Sequence, residues 1–376
     1  MRILQVTSDW KWTGPAEPML RLALALRGRG LAVEIACPEA PAPGARSLAG
    51  EARAAGLAPR LAFASGRGAW ALVRSGDAAR VRKVLDAEDV SIVHAWHTHD
   101  HLVALRAVAA RRRAGRTRLV RSWRRAEAIA PRSWNRWLFG PGTDGLVCVS
   151  PESARRNEPL RGGRPTLGVF GAVDLARFRP APPDPGVRAS LGFAPEDRVV
   201  GIVARVQAHR RFDLLLEAAR RLFAKDEQAR LLVVGRGTRR AELAEAPAAR
   251  LGIADRVVFA GYRSADYADV LRASDVFTFL VPGSDGSCRA LLEAAACGIP
   301  AVVTRRGALP EIVVHGETGL VADETPDALA EAWGALLQDP ERRARLGSKA
   351  SRRAAEQFDP ERLASRMLAF YETLLR

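Results

Sequence analysis

Long hydrophobic segments are missing from this chain of 376 residues. No run of about 18 apolar residues occurs, so the sequence predicts no helix that spans a membrane. The opening residues, MRILQVTSDW, lack the apolar core of a signal peptide and favour a short strand between Arg2 and Asp9. With 48% hydrophobic and 27% charged residues, the composition is typical of a globular protein, and we expect a cytoplasmic one.

Cysteine and lysine are both scarce. The four cysteines have a spacing that suits no zinc site, and most lie in apolar patterns, so we expect buried free thiols. Only four of the 58 basic residues are lysines, and the net charge of +16 therefore comes almost entirely from arginine. Eleven arginines and one acid lie between Arg106 and Arg136. A basic face of this kind suits nucleic acid, anionic lipid or a phosphorylated substrate.

Strand and helix patterns alternate in each half of the chain, which favours two α/β domains with parallel sheets. Prolines concentrated between Pro180 and Pro185 indicate a linker, and we place the domain boundary between residues 175 and 190. The predicted division is a first domain at 1–175, a second at 176–358 and a last helix at 359–376.

Residues 274–303 predict a strand, a loop rich in Pro and Gly, a helix and a second strand. The loop follows the carboxyl end of a strand, which is where open α/β sheets bind ligands. Ser287 is expected to cap the helix, and the first N–H groups of the helix, from Gly286 to Arg289, suit a phosphate.

Two acids in this stretch, Asp285 and Glu293, are eight residues apart. Glu293 would lie two turns into the helix, where it can reach two vicinal hydroxyls, as on a ribose; a ligand-free unit with two surface acids is the alternative. Together with Glu-Ala-Ala-Ala-Cys-Gly-Ile-Pro, the spacing resembles the retaining glycosyltransferases of family 4. These carry acid-x7-Glu, usually with Glu at the position of Asp285. They usually have Gly-Phe-Gly where this chain has Gly286-Ser287-Cys288-Arg289.

The resemblance covers nearly the whole chain and is strongest at 199–321. It implies the GT-B fold: two Rossmann-like domains facing a cleft, with a C-terminal helix that crosses back to the first domain. It also implies a retaining enzyme that transfers sugar from a nucleotide diphosphate donor to a saccharide or lipid-linked acceptor, in polysaccharide or lipopolysaccharide synthesis. Relatives generally need no metal or other cofactor, in agreement with the lack of Asp-x-Asp.

The resemblance also assigns roles on the donor side. Arg205 and Arg210 would stabilise the departing diphosphate, with Arg210 and Arg211 standing where relatives have Lys-Gly; a solvated basic loop is the alternative. Asp285 would fix a hydroxyl of the donor sugar. The implied nucleotide-sugar-binding residues are Glu293, Gly286, Ser287, Cys288, Arg289, Gly235 and Tyr262.

The acceptor is expected near Gly14, His97, His99 and Arg124 of the first domain. Four histidines fall within residues 94–101, and their alternation could place 97, 99 and 101 on one face of an extended segment. An acceptor-binding loop, a metal site and a solvated loop are all compatible with this pattern. Arg124 falls where relatives have a histidine that contacts the donor sugar.

Tryptophans are interleaved with arginines between Arg121 and Phe139. This mixture suits peripheral contact with an anionic membrane at the inner face of the cytoplasmic membrane. It also suits stacking on a sugar or a base, or an ordinary helix that packs its tryptophans inward.

Other functions stay open at this stage. A sugar-nucleotide epimerase would share the fold but needs no acceptor site. A non-catalytic partner subunit stays open because of the replaced histidine and the Asp-for-Glu change. Charge alone suggests a nucleic-acid binder, but the sequence contains no recognised module for that role, and we expect no nucleic-acid partner.

Overall fold

A computed structural model of the chain describes residues 1–12, 15–42, 44–63, 70–283 and 286–376. By their contacts the described residues form two compact units. The first contains residues 1–171, 286–287 and 360–376, and the second contains 172–283 and 288–359. The chain therefore divides at Gly171 and Ala172, a few residues before the boundary expected from the proline-rich linker.

The described part of the first unit contains a seven-stranded parallel sheet in the order β3-β2-β1-β4-β5-β6-β7. Its strands are β1 (Arg2–Val6), β2 (Ala32–Cys37), β3 (Arg60–Leu61), β4 (Ile92–Ala95), β5 (Arg118–Trp123), β6 (Gly145–Cys148) and β7 (Thr166–Gly168). The central strands are buried on both faces and rich in Val, Ile and Leu, as a parallel sheet covered by helices requires.

Helices cover both faces of this sheet. They are α1 (Ala16–Gly28), α2 (Leu48–Ala54), α3 (Trp70–Ala87), α4 (Thr98–Arg113), α5 (Ser133–Phe139), α6 (Pro151–Arg161) and, from the far end of the chain, α15 (Pro360–Leu375). Helices α1, α2 and α15 share one hydrophobic cluster, and α3 and α4 share another. The last helix belongs to the first unit because Ala364, Met367 and Tyr371 are buried in its core. The expectation that the C-terminal helix returns to the first domain is confirmed.

The described part of the second unit contains a six-stranded parallel sheet in the order β10-β9-β8-β11-β12-β13. Its strands are β8 (Arg198–Val203), β9 (Ala229–Val234), β10 (Val257–Gly261), β11 (Val276–Phe279), β12 (Ala301–Thr304) and β13 (Gly319–Ala322). Its α-helices are α7 (Pro185–Ser190), α8 (Phe212–Phe223), α9 (Ala246–Arg250), α10 (Tyr267–Arg272), α11 (Arg289–Ala296), α12 (Leu309–Ile312), α13 (Pro326–Leu337) and α14 (Pro340–Gln357). Short 3₁₀ turns cover Ala208–Arg210 and Ala254–Arg256, and a π-helical segment covers Ala241–Glu245.

Helix α8 shows how sequence determines these elements. Its apolar residues recur at helical spacing, and Phe212, Leu215, Leu216, Ala219 and Leu222 are all buried against the sheet. The polar face stays outside, where Glu217 pairs with Arg220. The bounds expected from this period, Phe212–Phe223, are those that the structure has.

Each sheet reverses its strand order at one point, which lies between β1 and β4 in the first unit and between β8 and β11 in the second. Ligands of open α/β sheets bind in the crevice outside the carboxyl ends of the strands at such a point. The loops that follow β8 and β11 carry Arg205, Arg210 and the start of α11, so the fold places the predicted donor residues at the expected edge of the second sheet.

Candidate functional site

Two loops meet at the carboxyl edge of the second sheet. Arg210, in the 3₁₀ turn after β8, donates a hydrogen bond from Nη1 to the carbonyl of Val281, just after β11, at 3.1 Å. Arg205, in the same loop, is exposed. The loop between β8 and α8 therefore offers one guanidinium anchored to the neighbouring loop and one that faces solvent.

A third loop packs tightly against the first. Gly235 follows β9 with φ +145°, and a β-carbon there would fall 2.1 Å from the carbonyl oxygen of Ala204. A β-carbon on Gly237 would meet the carbonyl oxygen of Val206 at 2.4 Å. Both positions consequently require glycine. Because neither glycine has a β-carbon, the backbone of the loop after β9 can approach the arginine-bearing loop closely.

Tyr262, just after the edge strand β10, is 59% exposed. The guanidinium of Arg236 lies over its ring at 5.1 Å from the centroid. The pair forms a flat, accessible aromatic surface at the carboxyl edge of the sheet, of the kind on which a base can stack.

Glu293 is buried in the second turn of α11, with only 5% of its surface exposed. Its Oε2 accepts a hydrogen bond of 2.8 Å from the hydroxyl of Tyr267, and Arg289 Nε lies 3.4 Å from its Oε1. A buried carboxylate is costly unless it is paired and hydrogen-bonded, and these two partners supply both. The structure thus keeps an oriented carboxylate at the position where the sequence predicts the ribose contact.

Tyr267 is the residue of this site that sequence reasoning missed. Burial and the nearby Glu293 carboxylate raise the pKa of Tyr267 well above its usual range, so its hydroxyl remains a donor at neutral pH. Its ring packs edge-on against Phe178 at 5.7 Å. It opens α10, 26 residues before Glu293, and no local pattern in the sequence connects the two.

The start of α11 differs from the expectation. The residue that precedes the helix is Cys288, not Ser287, and its side chain makes no capping hydrogen bond. Cys288 has φ +50° and is fully buried. The prediction of a Ser287 cap is therefore wrong: the left-handed turn at Cys288 moves the first helical residue to Arg289.

The other predicted residues of this loop divide between the units. Cys288, Arg289 and Glu293 belong to the second unit, whereas Gly286 and Ser287 group with the first. Asp285 lies outside the described residues, and its proposed contact with the donor sugar stays a prediction.

In the first unit, a buried acid joins the two loops at the switch point. Asp100 Oδ1 accepts the backbone N–H of Ser8, after β1, and its Oδ2 accepts that of His97, after β4, both at 2.7 Å. His97 is half-buried at the start of α4. Gly14, the other residue expected in this region, lies outside the described residues.

The histidines do not share a face. Helix α4 begins at Thr98, so 99 and 101 lie in its first turn, where residues two apart point in different directions. His99 Nε2 lies 3.0 Å from Asp77 of α3, and buried His101 bonds Thr143 at 2.7 Å. The expectation of an extended segment is therefore wrong. Roles of His97 and His99 towards an acceptor stay predictions.

His94, on β4, is fully enclosed. Its Nδ1 is 2.7 Å from the Tyr371 hydroxyl of α15, and its Nε2 is 2.8 Å from Ser122 Oγ of β5. Burial and the positive charges of Arg121 and Arg124 lower its pKa to about 3. Neutral His94 thus serves as an anchor between the sheet and the last helix. In the described part of the chain, no three His, Cys, Asp or Glu residues are placed to hold a metal ion together.

Arg124 follows β5 at the carboxyl edge of the first sheet. Its guanidinium lies over the ring of Trp96 at 5.2 Å. Both residues line a cavity of about 60 Å³, together with His94, Ser122 and Ser287. Most of the remaining lining is apolar, and part of it comes from α1 and α15. A cation over an aromatic ring at the rim of an apolar hollow suits a polar ligand with an apolar part.

Among the described residues, every helix falls short of the length or the apolar character needed to cross a bilayer.

Comparison with known proteins identifies the family of the chain. A model described as Glycosyltransferase Family 4 matches residues 14–166, and one described as Glycosyl transferases group 1 matches residues 185–353. The chain is 39% identical to D-inositol 3-phosphate glycosyltransferase of Rhodococcus opacus over 212 residues, and the matched region covers 54% of this chain and 47% of that protein. Over 221 residues it is 31% identical to the lipopolysaccharide core biosynthesis mannosyltransferase LpsB of Rhizobium meliloti, 56% of this chain and 62% of that one. The chain spans about half the length of the curated relatives it matches.

The fold also matches solved structures. The Anabaena protein HepE, crystallised with UDP, superposes with a TM-score of 0.80 at 19% identity, over 99% of this chain and 100% of that one. At this identity the likeness shows the fold. Since the two family models follow one another along the chain and each matches one half of a two-sheet architecture, the chain belongs to the family-4 glycosyltransferases, with the GT-B fold.

Proposed function

We propose that this protein is a retaining glycosyltransferase that moves a sugar from a nucleotide diphosphate donor to a saccharide or lipid-linked acceptor. Its place would be the synthesis of cell-envelope polysaccharide or lipopolysaccharide, at the inner face of the cytoplasmic membrane. The observation that carries the proposal is the buried Glu293 carboxylate, which Tyr267 and Arg289 hold in the second turn of α11. It belongs to the helix that follows β11, at the switch point of the second sheet.

The donor side is supported by charge and geometry. A nucleoside diphosphate brings a ribose with two vicinal hydroxyls and two phosphates. Glu293 would accept hydrogen bonds from the ribose hydroxyls, and the loop with Arg205 and Arg210 would receive the phosphates. Tyr262 and Arg236 offer a surface for the base. HepE, which has the same fold, was crystallised with UDP.

In the proposed reaction, the bond between the anomeric carbon and the diphosphate oxygen breaks, and a bond to the acceptor oxygen forms on the same face of the sugar. The acceptor hydroxyl gives its proton to the leaving phosphate oxygen. Arg205 and Arg210 stabilise the charge that grows on the diphosphate, so this proposal assigns no metal to the reaction. Asp285 would hold a hydroxyl of the donor sugar.

The acceptor would bind on the first unit, near Arg124 and His97. Two matched relatives are named for transfer to inositol 3-phosphate and for mannosyl transfer in the lipopolysaccharide core. Both names concern polar, hydroxyl-rich acceptors of the cell envelope or of low molecular weight. We infer that the acceptor here is of the same broad class.

The test begins with a thermal-shift panel of nucleotide sugars on wild type, Glu293→Gln and a control, Glu356→Gln, whose side chain is exposed. We expect one donor to raise the melting temperature of wild type and control but not of Glu293→Gln. That donor is then incubated with candidate acceptors, and the anomeric configuration of the product is read by NMR. An inverted product would refute the retaining mechanism.

The alternatives give different results. An epimerase would convert the donor to an isomeric nucleotide sugar without any acceptor. A non-catalytic subunit would bind the donor and leave it unchanged with every acceptor offered. If no donor binds to the folded protein, the proposed role of Glu293 is wrong.

A further inference from the structure

Helix α5 of the first unit presents two tryptophans to solvent. Trp134 is 58% exposed and Trp137 is 47% exposed, while Leu138 and Phe139 of the same helix are buried. The two indole rings stack on each other at 5.1 Å with 30° between their planes. The alternative of an ordinary helix that packs its tryptophans inward therefore does not hold for these two residues. Exposing two large aromatic rings on one short helix is unfavourable unless something covers them.

A basic groove lies beside these rings. It has a volume of about 480 Å³. Its lining, which we name the α4–α5 groove, consists of Leu105, Arg106, Ala109, Arg112, Arg113, Trp137 and Asp144. One wall therefore carries arginines of α4, the other carries an exposed indole, and two small or apolar side chains complete it.

The lining of the groove carries more positive than negative side chains. Asp144 is its one carboxylate among the described residues, and Arg112 neutralises it through two hydrogen bonds of 2.8 Å. Arg113 is exposed. Arg132 and Arg136, at the start and middle of α5, add two more exposed guanidinium groups next to the tryptophans.

We propose that the α4–α5 groove and the tryptophan pair form a docking surface for an anionic phospholipid bilayer. Indole rings are most stable at the boundary between headgroups and acyl chains, where their apolar body and N–H are both satisfied. Arginine can lay its methylene stem along an apolar surface and keep its charge at the phosphates. The groove supplies both kinds of group on one face, with a positive excess that complements anionic headgroups.

A bilayer fits these residues better than a nucleic acid does. Stacking on bases needs aromatic rings that are separately accessible, and here the two indoles stack on each other. The surface deepens the proposed location of the enzyme, but membrane docking and sugar transfer can fail independently, since no groove residue belongs to the proposed donor site.

The experiment uses the whole chain and vesicles of phosphatidylglycerol mixed with phosphatidylcholine, measured by co-sedimentation. We expect wild type to bind these vesicles and not pure phosphatidylcholine. Arg113→Gln/Arg132→Gln removes two cations, and we expect binding about 30-fold weaker, taking ~1 kcal/mol for each arginine near an anionic surface. The matched control is Arg345→Gln/Arg352→Gln, two exposed arginines of α14, which should bind as wild type does.

A second readout locates the tryptophans. Brominated lipids quench indole fluorescence only at bilayer contact, and we expect Trp134→Phe/Trp137→Phe to lose most of the quenching seen with wild type. Equal weakening in the control variant would show that the net charge, not this surface, binds the vesicles, and would overturn the proposal. The proposal would also be overturned if folded wild type did not bind the vesicles. It would be overturned too if duplex DNA displaced the protein from the vesicles and bound more tightly than they do through Arg113 and Arg132. Donor-induced thermal shifts should be unchanged in all three double variants, which separates this test from that of the proposed reaction.

Discussion

Removal of one hydroxyl tests the orientation of Glu293. Tyr267→Phe keeps the ring that packs on Phe178 and deletes only the donor that reaches Glu293 at 2.8 Å. The acceptor is a carboxylate with 5% of its surface exposed, so water replaces the lost donor poorly. Hydrogen bonds to charged groups contribute about 1.5–3 kcal/mol, and we expect a loss of about 2 kcal/mol in the free energy of unfolding.

The same change should weaken donor binding. Arg289 Nε lies 3.4 Å from Oε1 of Glu293, and without the tyrosine hydroxyl it can pull the carboxylate away from the ribose position. We expect about tenfold weaker binding of the nucleotide, which corresponds to ~1.4 kcal/mol. Isothermal titration with the nucleotide that gives the largest thermal shift measures the affinity, and urea unfolding measures the stability.

Tyr371→Phe is the matched control, because it deletes a hydroxyl that bonds His94 at 2.7 Å in the core of the first unit. Here both partners are neutral, and we expect a stability loss of about 1 kcal/mol with no change in donor affinity. If Tyr267→Phe binds the nucleotide as tightly as wild type, or if both variants lose affinity equally, the assignment of Tyr267 as a positioning residue is refuted.

Three further predictions concern the frame of the site. Gly235→Ala should cost about 3 kcal/mol or more in urea unfolding, because a β-carbon there meets the Ala204 carbonyl oxygen at 2.1 Å. Below pH 6.5 the unfolded chain protonates His94, whereas the folded protein, in which the pKa of His94 is about 3, does not, so the free energy of unfolding decreases as pH falls. Between about pH 7 and 5 we expect this decrease to be about 2 kcal/mol smaller in His94→Gln than in wild type. Arg161→Met should lower the free energy of unfolding by about 4 kcal/mol, since Arg161 is 1% exposed and donates to four backbone carbonyls; a loss under ~1 kcal/mol, measured by chemical unfolding, would contradict that role.

The fold was predictable because its signals are local. Helix α8 has the bounds that its apolar period predicts, since a period of 3.6 residues depends only on the local sequence. The parallel arrangement follows from strands and helices that alternate. The candidate donor residues on the loops after β8 and β11 follow from the resemblance and from the topology.

The errors arise where one residue decides a local geometry. The pattern of the histidines favours an extended segment because they follow a strand, yet Asp100 accepts the His97 N–H and α4 begins at Thr98, within the histidine segment. Tyr267 could not be found because its contact with Glu293 spans 26 residues of chain. Contacts of this kind depend on tertiary packing, which no sequence period records.

Two positions at which this chain differs from the family pattern indicate the local backbone conformation. Among the described residues, the non-glycine residues with positive φ are Arg211, at +58°, and Cys288, at +50°. Both stand where the resembling family has glycine. The family's glycines thus predict a left-handed backbone at these two positions, and the chain keeps that conformation with larger residues, although glycine adopts it at less cost.

The position of α15 has a consequence for how the protein is made. The core of the first unit includes Met367 and Tyr371, and Arg118 donates to the carbonyl of Leu374. During synthesis on the ribosome, the N-terminal sheet is complete after about half of the chain but must wait for the last helix before its apolar face is covered. We therefore expect a fragment that stops at Gly171 to aggregate. Joining residues 360–376 to that fragment through a flexible linker should give a soluble unit on which acceptors can be tested alone.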